Sequence, residues 1–351
     1  MKLLIITQKI DINDPILGFF HRWVEEFAKN CENVTVICLY KGKYDLPANV
    51  KVLSLGKEDS VSRLTYLYRF YRYIWQERKN YDSVFVHMNP IYIVLAGLFW
   101  KIGNKKISLW YTHKSVDWKL KLAERISNNI FTASIKSFRL DSNKVKVMGH
   151  GIDVEKFSCP SIDDKNKQKT FKIITTGRIS PIKDYETLIK AVSLLRKNDK
   201  EIKITVDIIG DTISLKDEQY LTDLKKMVIQ ESVDSMINFI GPVPNKNINF
   251  YLCPADLFVN MSHTGSLDKA VLEAMACSLP VLTCNEAFTD ILPPKENFFF
   301  HKGEFAELSK KIESIYNLQD KDRKTIGKEL RDIVTENHNL SRLVKNIIES
   351  I

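Results

Sequence analysis

Two stretches of the sequence put charged side chains where an α/β protein does its chemistry. In "TTGRISPIKDYETL", residues 175–188, an apolar strand gives way to Gly177 and Arg178. Lys183 follows five residues after the arginine, where a helix begins. A glycine lets another backbone or a ligand come close, and a helix N-terminus offers free N–H groups and partial positive charge. Two full cations beside them make an anion site of a size suited to a diphosphate. An Arg and a Lys solvated at a domain surface would show the same spacing, so spacing leaves both readings open. The second stretch is "SHTGSLDKAVLEAMACSLPVL", residues 262–282. Ala270, Val271, Leu272, Ala274 and Met275 make this helix apolar nearly all round, as in a buried helix. Glu273 stands in its middle, and a buried carboxylate is costly without partners. Lys269, one turn earlier, is one partner. Sugar hydroxyls, which donate to carboxylates, are another.

Ligands of open parallel sheets bind beyond the carboxyl ends of the strands. His113 follows "ISLWYT", and Gly149, His150 and Gly151 follow "KVKVM". Gly210 and Asp211 follow "ITVDII", and Ser262 and His263 follow "LFVNM". Small, polar and cationic residues recur at that edge. Taken alone, His113 is more often a structural or solvated histidine.

The elements that position these residues alternate through both halves of the chain. "KLLIIT", "VTVICLY", "SVFVHM", "ISLWYT", "IFTAS" and "KVKVMG" read as short strands, and "FFHRWVEEFAKN" has helical spacing. After residue 170 the alternation restarts, with strands at "FKIITT", "ITVDIIG", "INFIG", "LFVNMS" and "PVLTC". Such alternation means βαβ units and parallel sheets. The polar stretch "SCPSIDDKNKQKT" between the halves lacks periodicity. The expected organisation is an N-terminal domain over residues 1–157, a linker at 158–170 and a second domain at 171–325. A C-terminal helix at 326–351 is expected to pack back on the first domain. A length of 351 residues suits two cores.

A net charge of +9 favours anionic partners without choosing among phosphorylated ligands, acidic lipids and nucleic acid. The six cysteines form no CxxC pair and have no histidine cluster. They are expected to be reduced thiols of a cytoplasmic protein, with no zinc site. The start "MKLLIITQKI" lacks a signal-peptide pattern, and the apolar run at residues 91–100 is about half a membrane span. Residues 63–79, "RLTYLYRFYRYIWQERK", interleave basic and aromatic residues. The favoured reading is a helix packing its aromatics on the sheet with its Arg stems snorkelling. Peripheral contact with the inner face of a membrane is the second reading. Nucleic-acid binding is not expected, since no recognised module accompanies the charge.

Several of these segments together carry a family signature. "HGIDVEKF", "TTGRISPIKDYETLIKAV", "VDIIGD", "INFIGPV" and "LDKAVLEAMACSLPVL" stand in the order and spacing of the retaining glycosyltransferases of family 4. They cover most of the C-terminal half; the N-terminal half is similar more loosely, at "LGFFHRWVEEFAKN" and "WYTHKS". The resemblance implies the GT-B fold, two Rossmann-like doubly wound domains facing a central cleft. It implies transfer of a sugar from a nucleotide-diphosphate-sugar donor with retention of configuration, needing no metal and no further cofactor. The acceptor would be a glycan or a lipid-linked molecule, in cell-surface polysaccharide or glycolipid synthesis.

By the same resemblance, Arg178 and Lys183 would hold the donor diphosphate and Glu273 the ribose hydroxyls. Gly241 to Val243 would read the nucleobase through the backbone. Gly177, Gly210, Ser266, Leu267 and Lys269 would line the donor. His113 would lie near the donor sugar and acceptor, and the loop at Gly18 near the phosphates. Two features depart from the pattern. The family's E-x7-E motif begins here at Gly265 instead of an acid, and Asp268 is expected to take over the sugar contact. The Gly18 loop carries one glycine where many members have two. A catalytically silent partner subunit that binds nucleotide or another transferase is the alternative these departures support.

Overall fold

The computed structural model describes residues 1–159, 170–294 and 298–351. Residues 160–169, most of the expected linker, lie outside the described residues. Two compact units emerge. The first comprises Met1–Asp153, Pro244–Lys246 and Asn337–Ile351; the second comprises Val154–Val243 and Asn247–Glu336.

The first unit holds β1 (Lys2–Ile10), β2 (Asn33–Lys41), β3 (Val50–Ser54), β4 (Ser83–His87), β5 (Lys106–Trp110), β6 (Asn129–Thr132) and β7 (Val145–Val147). All pair in parallel, in the order β3-β2-β1-β4-β5-β6-β7. β1 is apolar without a break from Leu3 to Ile6 and fully buried there, as expected of a strand covered on both faces. On one face α2 (Arg63–Gln76), α3 (Ile91–Ile102) and α4 (Trp118–Ile126) share a core with it through Phe70, Ile74, Trp100 and Leu120. Toward the other face α1 (Phe19–Asn30) sets Phe27 against Phe85 and Trp23 against Trp110. β3 is an edge strand, half-buried and without alternation, and is not among the expected strands.

The second unit holds β8 (Phe171–Thr176), β9 (Ile204–Ile209), β10 (Ile237–Gly241), β11 (Leu257–Asn260) and β12 (Val281–Thr283). They too are parallel, in the order β10-β9-β8-β11-β12. Six helices belong here among the described residues: α5 (Tyr185–Asn198), α6 (Leu215–Gln230), α7 (Asn249–Leu252), α8 (Lys269–Ala276), α9 (Phe305–Tyr316) and α10 (Asp320–Asn337). α5 buries Tyr185, Leu188, Ile189, Val192 and Leu195, the face its sequence spacing predicts. α6 starts on a capping box in which Ser214 and Asp217 satisfy each other's backbone N–H groups. Both units are thus Rossmann-like, doubly wound parallel sheets. No helix among the described residues is long and apolar enough to cross a membrane.

α11 (Leu340–Ser350) belongs to the first unit and packs beside α1. It follows a turn in which the Ile152 N–H donates to the carbonyl of His338 and the Leu340 N–H to that of Ile152. The buried Nδ1 of His338 accepts the His150 N–H at 3.0 Å, which requires an unprotonated ring nitrogen. Burial lowers the His338 pKa to about 4. Unfolded, the ring would titrate near 6.5, so between these values the unfolded chain binds the extra proton. Stability from this group is therefore complete above pH 6.5 and is lost as the pH falls towards 4. The loss is about 3 kcal/mol in all. Urea midpoints taken at pH 7 and pH 4.5 should show a pH dependence that His338→Gln flattens. An equally steep dependence in that variant would refute the assignment.

Two expectations are corrected. Cys159 and Cys253, 94 residues apart, form a disulfide with Cα atoms 5.3 Å apart, within bridging range. At that separation no spacing motif could announce the pair. Cys31, Cys38, Cys277 and Cys284 are free and buried, and burial raises the Cys277 thiol to about 12. The second correction concerns α2. Of its side chains only Phe70 and Ile74 are buried. Tyr66, Phe70 and Tyr73 do pack on the core, whereas Tyr68, Tyr71 and Trp75 face solvent, because a helix lying on one side of a sheet buries a single stripe.

Candidate active site

The strand order reverses between β1 and β4 in the first unit and between β8 and β11 in the second. Loops leave such neighbours in opposite directions and open a crevice at the carboxyl edge. In the second unit the loop after β8 carries Gly177, Arg178 and Lys183. The loop after β11 carries Ser262 through Asp268.

The β8 loop is pinned from beneath. The Gly177 N–H donates to the Ile209 carbonyl, and the N–H of buried Ile179 donates to that of Asp211. Exposed Arg178 stands between these anchors, with its Nε 3.3 Å from Ser180 Oγ. Gly210 is where the two strand ends meet: a Cβ there would lie 1.8 Å from the Gly177 carbonyl oxygen. Its glycine thus has a packing reason besides any ligand. Lys183 closes a 3-10 turn, and Asp184 in the left-handed region (φ +48°) leads into α5. The Lys183 side chain passes over Gly177, whose added Cβ would meet its Nζ at 3.7 Å. The helix N-terminus has no side-chain cap. The Asp184 carboxylate instead accepts from Thr187 Oγ1 at 2.7 Å and lies 3.1 Å from His263 Nε2.

Lys183 and Asp268 meet across the crevice. Lys183 Nζ donates to Asp268 Oδ2 at 2.7 Å, and Asn260 Nδ2 donates to the same oxygen at 3.1 Å. Behind them runs a buried ladder. Thr283 Oγ1 donates to Asn260 Oδ1, the Asn285 N–H donates to Thr283 Oγ1, and Asn285 Nδ2 donates to the Ser266 carbonyl. This ladder fixes both ends of the segment that presents Ser266, Leu267 and Asp268. Sequence reasoning missed Asn260, Thr283 and Asn285. The available signal was a polar residue closing each of two apolar strands, "LFVN" and "VLTCN". Gly265 has φ +61°, a conformation that a glutamate would adopt only under strain. The position where the motif's first acid is absent is therefore left-handed backbone in this chain.

On α8, Lys269 Nζ lies 3.3 Å from Glu273 Oε1, with both side chains mostly buried. The local pair weighed in the sequence is thus present. Gly241, at the end of β10, accepts the Gly210 N–H through its carbonyl and has open space where a Cβ would stand. Val243 follows two residues later, half-buried.

Gly18 and His113 belong to the first unit. Gly18 closes a turn after β1: its N–H donates to the Asp14 carbonyl, and a Cβ would come within 2.4 Å of that oxygen. Asp14 Oδ1 accepts the Ile16 and Leu17 N–H groups. His113 is exposed, three residues beyond β5, and its Nδ1 accepts the Ser115 N–H at 3.0 Å. Among the described residues, one cluster of three metal-ligating side chains has its ligand atoms within 4.8 Å: Cys159, Cys253 and Cys277. Two of these sulfurs are bonded to each other.

The family model described as Glycosyl transferases group 1 matches residues 161–332. A D-inositol 3-phosphate glycosyltransferase of Pseudarthrobacter chlorophenolicus is 26% identical over 176 residues, covering 48% of this chain and 40% of that protein. An alpha-monoglucosyldiacylglycerol synthase of Streptococcus pneumoniae is 23% identical over 203 residues, covering 55% of this chain and 44% of that protein. The chain thus spans less than half the length of these curated relatives. Among solved structures, Anabaena HepE in complex with UDP superposes with a TM-score of 0.78 at 18% identity, covering 100% of this chain and 99% of that one. At that identity the likeness shows the fold, which is GT-B.

Proposed function

From the premise that the chain belongs, through residues 161–332, to the group 1 glycosyl transferases, we propose that it is a retaining glycosyltransferase. It moves a sugar from a nucleotide-diphosphate-sugar to a glycan or lipid-linked acceptor. The observation that carries this reading is Lys183 paired with the carboxylate of Asp268 at the switch point of the second sheet, with a second cation, Arg178, on the same loop after β8. Breakage of the bond between the anomeric carbon and the diphosphate leaves negative charge on the departing oxygen. Preorganised cations stabilise such charge without reorganising as it develops. The acceptor hydroxyl attacks the anomeric carbon from the face the diphosphate leaves, and its proton passes to the departing phosphate oxygen. These steps need no metal, and the cations here take the place one would fill.

Glu273 would accept hydrogen bonds from the ribose hydroxyls while Lys269 stays as its counter-charge. Gly241 to Val243 offer backbone groups to a nucleobase at the edge of the same sheet. Asp268 is placed to accept from a sugar hydroxyl. The solved relative that binds UDP makes uridine the first nucleotide to try.

Thermal denaturation with UDP, GDP or ADP in millimolar excess tests this. A ligand bound only by the folded chain raises its stability by about 2.7 kcal/mol at a hundredfold excess over Kd. We expect one nucleotide to raise the midpoint and Arg178→Ala to abolish the rise. No shift with any of the three would leave the catalytically silent reading in its place.

A further inference from the structure

We propose that His263 is a positioning residue: it clamps the turn that carries Lys183 and so holds that lysine for the departing diphosphate. The inference rests on the reading of Lys183 as a cation of the donor site. Consecutive residues of the turn after β8 meet the loop after β11. The His263 N–H donates to the Ile182 carbonyl at 3.0 Å. Lys183 Nζ donates to Asp268 Oδ2 at 2.7 Å. His263 Nε2 lies 3.1 Å from Asp184 Oδ2. The middle contact is the one an arriving diphosphate weakens, since it competes with Asp268 for the ammonium. The contacts on either side of it both belong to His263, and they remain when Lys183 turns to the phosphate.

Asp184 is the other half of the clamp. Its backbone is left-handed, at φ +48° and ψ +53°, a region that a residue other than glycine keeps only when its surroundings fix it. Its carboxylate is mostly buried, yet it caps none of the N–H groups of α5. Oδ2 instead accepts from Thr187 Oγ1 at 2.7 Å and faces His263. Two consequences follow for an anion at this place. No carboxylate of the chain's own competes with it for the N–H groups and partial positive charge at the start of α5. The acid next to Lys183 in sequence is also engaged, so it does not draw the ammonium away. The histidine can serve as an anchor because its loop is itself held: the buried Asn285 Nδ2 donates to the Ser266 carbonyl, and Asn260 Nδ2 donates to Asp268. His263 thus passes the rigidity of that frame to the turn that presents Lys183.

UDP, GDP and ADP are each titrated calorimetrically into the wild type, His263→Ala, His263→Gln, Lys183→Ala and the double variant His263→Ala with Lys183→Ala. A free nucleoside diphosphate is the leaving group with its charge fully developed, so its affinity reads the lysine contact without an acceptor. The nucleotide that the wild type binds should bind about tenfold more weakly to His263→Ala, within the range over which residues in contact couple. His263→Gln keeps a donor at the Nε2 position and should recover most of that affinity. In the Lys183→Ala background the histidine substitution should cost less than about twofold, because its effect passes through a lysine no longer there. Circular dichroism shows that each variant folds. Equal affinity in the wild type and His263→Ala would overturn the proposal. So would an equal loss in both backgrounds, or a loss that His263→Gln does not recover, since a residue that only supports the loop would give either. A wild type that binds none of the three nucleotides would instead overturn the donor-site reading, and this inference with it.

Discussion

Lys183→Ala is expected to lower the rate of sugar transfer by two to three orders of magnitude. Lys183 is the cation the fold constrains most. Its side chain lies over Gly177, its ammonium is tied to Asp268 at 2.7 Å, and it is 14% exposed. A charge held there is already oriented when the diphosphate departs, so little of its effect is spent on reorganisation. Deleting one preorganised donor to a developing oxyanion costs on the order of 3–4 kcal/mol, or 10²–10³ in kcat. The exposed Arg178, with one Ser180 contact, is less fixed, and it is expected to matter more for ground-state affinity than for kcat. Initial rates with the nucleotide-sugar identified by thermal shift check this, with circular dichroism to show that the variant folds. A loss below about tenfold would place the leaving-group charge elsewhere, since single surface ion pairs contribute no more than that.

The parts of this architecture that were legible in the sequence are those whose signal is local. β1, β2 and α5 could be read because continuous burial and helical periodicity write themselves into neighbouring residues. The loop after β8 could be read because Gly177, Arg178 and Lys183 lie within seven positions. β3 could not, because a half-buried edge strand shows neither a continuous apolar run nor alternation. The disulfide between Cys159 and Cys253, and the ladder from Asp268 through Asn260 to Asn285, join residues far apart in the chain. The exposed stripe of α2 was misread for a physical reason as well. Periodicity shows that a helix has apolar faces, but not which one the sheet covers. Here it covers the face with Phe70 and leaves the one with Trp75.

Asp268→Asn separates two roles that the geometry superimposes on one carboxylate. In this structure Asp268 Oδ2 is the acceptor for both Lys183 and Asn260. A donor diphosphate arriving at the crevice would compete with that carboxylate for the lysine. If Asp268 also accepts from a sugar hydroxyl, the place the motif's first acid would hold, the variant loses a charge-assisted hydrogen bond worth roughly 1.5–3 kcal/mol. That is between about tenfold and a hundredfold in kcat. The free nucleoside diphosphate has no sugar, so its affinity should be unchanged or tighter once Lys183 is released from its counter-charge. The expected outcome is therefore a split: kcat falls while the Kd for the diphosphate holds or drops. Calorimetric titration and steady-state rates measure the two sides independently. If both weaken together, Asp268 acts by holding Lys183 in place and does not touch the sugar. If neither changes, the absent acid at Gly265 has no substitute at Asp268, and the donor sugar must be bound without a carboxylate from this loop.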